Sequence, residues 1–409
     1  MSIFLFDSVW WKAIPLYYKN KVLVAMQKYN MFSRVSGKIK KIFMAAPQEG
    51  DIAHFERIAG VFKQLHCDAS LLVWCNSGEI QAQLKDFLKK EGITSESRLL
   101  GAILPAASSC VLLSPDGLES YSRWVRDAFV FGAVGSNRAV FVIKTAVPKD
   151  TDIHWAERHL QFLRFDDGTN ILPHPSIIPV AGGNLMADGN FFMFGAQQYR
   201  WHKLASSDWC LSSLTGNRSN ARLIEIGGHT TTPPRKLAHL DLYISLTGCV
   251  ARSSGRPVVI IATCSLLSIS PLADLLPVVE RTNSFLDTVA DTLVEEGFHI
   301  LRNPAPMLKN ERTGAFYLCS LNNCLVEVTS KSRTVWLPNI TQGQEQSTYY
   351  DRLQQVEKDN ALLWEQLGFE VRFIAGDFHG IMDEEGSLHC ITNEIIREKP
   401  SAKPQFADI

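Results

Sequence analysis

Short segments of this chain carry residue types that do chemistry. Near the C-terminal end, Gly386-Ser-Leu-His-Cys-Ile-Thr-Asn393 sets Cys390 between a histidine and an isoleucine. A thiol attacks as its thiolate, and a free cysteine titrates near about 8.5, so Cys390 needs neighbours that favour the anion; a cationic substrate beside it would supply them. The same segment would equally serve an inert buried thiol. In His239-Leu-Asp-Leu-Tyr-Ile-Ser245, the polar residues His239, Asp241, Tyr243 and Ser245 alternate with Leu240, Leu242 and Ile244. Successive side chains of a strand point to opposite faces, so the pattern predicts a strand with His239 and Asp241 aimed together, into a polar cavity or into water at a sheet edge. Arg123-Trp-Val-Arg-Asp-Ala-Phe129 holds an acid, Asp127, in an aromatic-rich run, where it suits a site or a surface pair with Arg126. Gly182-Gly-Asn184 lets the backbone approach a neighbour tightly, and is also a common turn.

Taken in chain order, with Asn323-Cys-Leu325 ahead of the cysteine segment, these pieces resemble the guanidine-modifying enzymes of the pentein fold: protein-arginine, agmatine and arginine deiminases, amidinotransferases and dimethylarginine hydrolases. That family shows an aromatic-x-Arg-Asp segment, then Gly-Gly-Asn or Gly-Gly-Asp, then His-x-Asp, then an Asn before a small residue, then His-Cys. Here they read Trp124-Val-Arg-Asp127, Gly182-Gly-Asn184, His239-Leu-Asp241, Asn323-Cys-Leu325 and His389-Cys390. Cys319 to Glu327, followed by Val335-Trp-Leu-Pro338, is similar to the family's penultimate module. The resemblance spans Trp124 to Asn393. It implies an α/β propeller of five sheet-and-helix modules around a central cavity. It also implies Cys390 as nucleophile, His239 as acid and base, and Asp127 and Asp241 as guanidinium acceptors. Trp124, Asn184 and Asn323 would join the two carboxylates in binding substrate, with no metal and no organic cofactor. Ala181 stands where arginine and agmatine deiminases carry Glu, and Ala128-Phe129 where the agmatine branch has Gly-Pro. The first departure leans toward the protein-arginine deiminase branch, whose end resembles Leu388 to Asn393, and the second sets the chain closer to branches other than the agmatine one.

A guanidinium is planar and cationic, and its carbon is a poor electrophile. Asp127 and Asp241 could each accept two parallel N–H bonds, holding the plane, and such orientation lowers the barrier. Cys390 would then attack the carbon and ammonia would leave. His239 would protonate the departing nitrogen and later activate water. The product is a ureido group from a peptidyl-arginine, agmatine or arginine-like substrate. Amidinotransfer uses the same residues with an amine in place of water, and a non-catalytic binding module is the third reading. A binder has no need of all four of Asp127, His239, Asp241 and Cys390. A papain-like hydrolase is disfavoured because the Asp and His motifs precede the cysteine. His389 and His229 are rival bases. His389, read in a strand beside Cys390, should face away from it, and His229 sits in a Gly- and Thr-rich loop. A zinc set of His239, Asp241, His379 and Cys390 lacks standard ligand spacing.

The elements that position these residues read as α/β. Lys41 to Ala46, Leu71 to Trp74, Val111 to Leu113, Ala139 to Ile143, Leu242 to Leu246 and Val258 to Ala262 are strand candidates. Asp51 to Leu65, Glu79 to Glu91, Phe285 to Glu296 and Tyr349 to Leu367 carry helical periods. The last two are each followed by Gly and a new strand, as helix ends usually are. No linker punctuates residues 41–397, which predicts one catalytic domain; 1–40 reads as a basic, aromatic-rich extension and 398–409 as a tail.

With 409 residues, 46% of them hydrophobic, the chain can bury a large core. A net charge of −1 gives no global field for nucleic acid, and no aromatic-basic groove is evident. Nine cysteines without regular spacing fit a reducing, cytoplasmic setting rather than a disulfide framework. Residues 12–41 carry lysines and arginine but no acid, so they read as a helix packed on the domain or as a peripheral membrane or protein contact. Oligomeric state is not encoded in any of these patterns.

Overall fold

The apolar runs become strands in the computed structural model, which describes residues 29–31, 35–99, 103–104, 109–114, 123–134, 139–145, 163–165, 170–178, 181–188, 191–195, 222–227, 234, 237, 239–266, 275–310, 313–398 and 405–409. Five sheets form among the described residues. Each repeats one topology: a leading strand pairs antiparallel with a central strand, which pairs parallel with a third. In the first sheet these are Phe129–Val134, Ala139–Thr145 and Asn170–Ile178. In the second they are Leu185–Asp188, Phe191–Gly195 and Arg222–Ile226. In the third they are Ile244–Ala251, Pro257–Leu266 and His299–Lys309. In the fourth they are Leu325–Val328, Arg333–Pro338 and Glu370–Ile374. The fifth joins the two ends of the chain, pairing Asn393–Arg397 with Ile39–Ala46 and the latter with Ser70–Cys75.

A parallel pair needs a crossover, and described helices supply it in three of the sheets. Ile52–Gln64 crosses the fifth sheet, Leu276–Glu295 the third and Tyr350–Gln366 the fourth. Asp51 caps the first of these by accepting from the His54 backbone N–H at 3.0 Å. Phe55, Ile58 and Ala59 face inward from it. The latter two helices end at Gly297 and Gly368, whose φ of +86° and +80° are the left-handed values that stop a helix. Val258 to Ala262 are all buried, as expected for a strand covered on both faces.

Three expectations change. His239 to Tyr243 is not strand: Leu240–Leu242 forms a single 3-10 turn and the strand starts at Ile244. The last residues are not a free tail, because Gln405–Ala407 runs parallel to Cys249–Ala251 at the edge of the third sheet. So short a strand rests on backbone bonds, which need no apolar period. In the N-terminal extension Tyr29–Met31 pairs antiparallel with Gly132–Val134; residues 1–28, where a packed helix was expected, lie outside the described residues.

Helix Ile52–Gln64 meets the chain just after strand Glu370–Ile374 through Gly60. A Cβ at Gly60 would lie 2.2 Å from the carbonyl oxygen of Ala375. Helix propensity alone favours alanine there by about 1 kcal/mol. A backbone oxygen cannot move aside as a side chain can, so Gly60→Ala is expected to destabilise by about 1–3 kcal/mol. A fall in the thermal unfolding midpoint checks this; a rise would show that the contact yields.

Candidate active site

The five sequence motifs occupy equivalent places in the five sheets: each lies just ahead of a leading strand. Val125–Ala128 is a helical turn before Phe129, and Gly182–Asn184 a 3-10 turn before Leu185. His239 and Asp241 precede Ile244, Asn323 precedes Leu325, and Cys390 precedes Asn393. Hydrogen bonds link these turns. The Arg126 N–H donates to the Cys390 carbonyl at 3.2 Å. Asn323 Nδ2 donates to Cys390 Sγ at 3.1 Å and to the Asp241 carbonyl at 3.3 Å. The Leu240 N–H donates to Asn184 Oδ1 at 3.2 Å. The turn holding Asn184 packs in turn against the helix holding Arg126.

His239, Asp241 and Cys390 meet there: a nitrogen of the ring, a carboxylate oxygen and the sulfur all lie within 4.8 Å of one another. Cys390 Sγ donates to Asp241 Oδ2 at 3.5 Å. Cys390 and Asp241 are buried, while His239 is half-buried. An imidazole, a carboxylate and a thiol at this spacing can bind a cation, deliver a nucleophile and move a proton. The same donors could hold a soft dication. His379 is not part of that cluster; it sits on the short helix His379–Met382, with Nδ1 at 3.1 Å from the Tyr317 hydroxyl.

Asn184 and Asn323 do not line an open site. Both are buried, and their amides are engaged with the protein. Asn184 also donates to the Gly195 carbonyl at 3.1 Å. Asn323 Oδ1 accepts the N–H groups of His389 at 2.8 Å and Cys390 at 3.2 Å. Through these bonds they hold the turns together. Trp124 is half-buried, and its ring covers Gly386, where a Cβ would come within 2.1 Å of it. Asp127 is placed by its helical turn, but its side chain lies outside the described residues. His229 also lies outside them.

His389 overturns its expectation. Cys390 sits in a hydrogen-bonded turn, with Ile391 N donating to Ser387 O at 3.2 Å, not in a strand. Neighbouring side chains therefore need not face opposite ways, and His389 Nδ1 comes within 2.7 Å of Asp241 Oδ2. Burial, and then the charge of Arg126, lower the His389 pKa despite Asp241. Burial pushes Asp241 up, but the bond from His389 and the nearby positive groups outweigh it and hold the carboxyl below its ordinary value. The carboxylate accepts from the ring at Nδ1.

Sequence reading also missed Arg126 and Glu394. Arg126 was weighed only as a surface partner of Asp127; it is fully buried and pairs with Glu394. Its Nε donates to the His389 carbonyl at 3.1 Å. Arg397 pairs with the other Glu394 oxygen at 3.0 Å. The available signal was a Glu and an Arg inside the apolar strand Asn393–Arg397. Burial alone would raise Glu394, but Arg126 and Arg397 bring it to about 2. A depressed carboxyl stabilises the fold fully above its unfolded value near 4.5 and loses that as pH falls toward 2. Glu394→Gln is therefore expected to flatten the acid dependence of stability over that window, read as unfolding midpoints against pH.

No protein-family model matches the sequence, and no curated protein matches it. Solved structures do match its fold. Agmatine deiminase from C. jejuni is 11% identical, with a TM-score of 0.56 over 91% of this chain and 97% of that one. A Cys-to-Ser form of the same enzyme with substrate bound gives a TM-score of 0.58 at 11% identity, over 91% of this chain and 97% of that one. A putative arginine deiminase from Porphyromonas gingivalis is 16% identical, with a TM-score of 0.54 over 91% of this chain and 98% of that one. This chain shares the mixed α/β fold of those enzymes.

Proposed function

We propose that this chain is a cysteine-dependent deiminase that hydrolyses a guanidinium group, with its five sheets as five modules around one site. The observation that carries this reading is the meeting of Cys390, His239 and Asp241 within 4.8 Å in a buried setting, on the fold of agmatine and arginine deiminases. Other described cysteines lack this setting. Burial pushes Cys324 up to about 12, and Cys319 is raised too by burial and by Glu357. Both are held toward the thiol form, whereas Cys390 has a hydrogen-bond donor at its sulfur and an imidazole within 4.8 Å.

Asp241 accepts a guanidinium N–H and balances the cation, and Asp127, in the adjoining turn, is assigned the same role. Cys390 thiolate attacks the guanidinium carbon, forming a C–S bond and a tetrahedral adduct. His239 gives a proton to the departing nitrogen, the C–N bond breaks and ammonia leaves. His239 then takes a proton from water as it attacks the thiouronium. The C–S bond breaks, releasing a ureido product and the thiolate. Protein residues supply every role in this sequence. A peptidyl arginine, agmatine or arginine fits the chemistry.

Ammonia release over agmatine, arginine and an arginine-containing peptide tests the proposal. One of them is expected to gain about one dalton, the mass of imine-to-oxygen exchange, with ammonia in equal amount and no effect of EDTA or added glycine. Cys390→Ala is expected to lose at least about a thousandfold in turnover. Asp127→Asn and Asp241→Asn should each lose about a hundredfold or more, since an amide presents donors where acceptors are needed. Asp188→Asn is the control: Asp188 ends a strand and accepts from Ser36 Oγ at 2.9 Å, and turnover should persist. Transfer of the amidino group to glycine would replace hydrolysis by amidinotransfer. Full turnover in Cys390→Ala would remove the cysteine mechanism.

A further inference from the structure

Asp241 Oδ2 receives both the His389 ring at 2.7 Å and the Cys390 thiol at 3.5 Å, while Oδ1 is buried with no hydrogen-bond partner among the described residues. A buried carboxylate oxygen left bare is costly unless a ligand completes it. The oxygens of Asp241 are therefore unequal, one committed inside the protein and one available. His389 is itself fixed on both sides. Its N–H donates to Asn323 Oδ1 at 2.8 Å and its carbonyl accepts from Arg126 Nε at 3.1 Å. These bonds fix the backbone from which the ring reaches Asp241.

We infer that His389 is a positioning residue of this site: its Nδ1–H anchors Asp241 Oδ2, so that Asp241 meets the substrate cation through Oδ1 alone. This rests on the reading of Asp241 as a guanidinium acceptor, and it changes that reading from two-point to one-point contact. His389 touches no reacting atom. It acts through Asp241. An ionised carboxylate only accepts, so the shared proton sits on Nδ1. The groups facing His389 are Asp241, Arg126 and Glu394, in order along the chain of charges.

Three variants read this role. Asn places an N–H close to where Nδ1 sits, Gln places one nearer Nε2, and Leu removes both. His389→Leu is expected to raise KM about a hundredfold with a smaller effect on kcat, since a misplaced acceptor costs about that much. It should also move the acid limb of the kcat/KM profile upward by about one pH unit, because Asp241 loses the bond that holds it down. His389→Asn is expected to restore both, and His389→Gln neither. If His389→Leu does not fold, the Asn and Gln pair decides: rescue by Gln and not by Asn overturns the inference. So does an unchanged KM and acid limb in His389→Leu, while leaving the deiminase reading standing. If wild-type protein releases no ammonia from any guanidine, the deiminase reading fails, and imidazole nitrogen-15 NMR still tests the positioning claim. A neutral, Nδ1-protonated ring whose signals vanish in His389→Asn supports it; an Nε2-protonated ring overturns it.

Discussion

Asn323 is the point on which this site turns. Its one amide accepts the backbone N–H groups of His389 and Cys390 and donates to Cys390 Sγ and to the Asp241 carbonyl. Those partners belong to turns that lead into different sheets, the third and the fifth, while Asn323 itself leads into the fourth. Removing the amide would leave the Cys390 N–H unmet and the His389 N–H with only a long bond of 3.4 Å to the Asn323 carbonyl, and an unmet buried donor costs about 1–3 kcal/mol. The sulfur is thus placed by the same contact that joins the sheets, and its geometry cannot drift without breaking the junction.

Charge is the second constraint. Arg126, Glu394, Arg397 and Asp241 are all buried, which is tolerable only where each charge is paired or hydrogen-bonded. They form a chain: Arg397 to Glu394, Glu394 to Arg126, Arg126 to the carbonyl of His389, and the His389 ring to Asp241. Asn393 strengthens the same seam by donating to the Val125 carbonyl at 3.2 Å. Such a network is preorganised before any ligand arrives, and fixed dipoles around a reacting cation need no reorganisation during reaction. Stability and placement of Cys390 therefore share residues, so a change at Arg126 touches both.

The repeated sheet topology explains why the site motifs are so scattered along the chain. Each sheet contributes one turn, always before its leading strand, so a whole sheet with its crossover separates one turn from the next. Nothing in the repetition requires a shared sequence, because the constraint is backbone pairing. Ala-Val-Phe-Val-Ile and Pro-Val-Val-Ile-Ile serve the same place in their sheets with different residues.

The sequence by itself determined the α/β class, the main helices and strands, and the set of groups able to do chemistry. Those follow from local rules: period, capping and residue type act over a few neighbours. The helix expected from Asp51 and the strand expected from Lys41 are where the pattern put them, within a residue or two. Tertiary structure decided the rest. The polar alternation from His239 to Ser245 imitates a strand, yet its first half is a turn, because Leu240 bonds to Asn184 from a distant segment. His389 turned toward Asp241, and Asn184 and Asn323 became internal ties, for the same reason. A hydrogen bond across 66 or 148 positions of chain leaves no trace in spacing, and burial, which makes such a bond strong, exists only once the sheets have met.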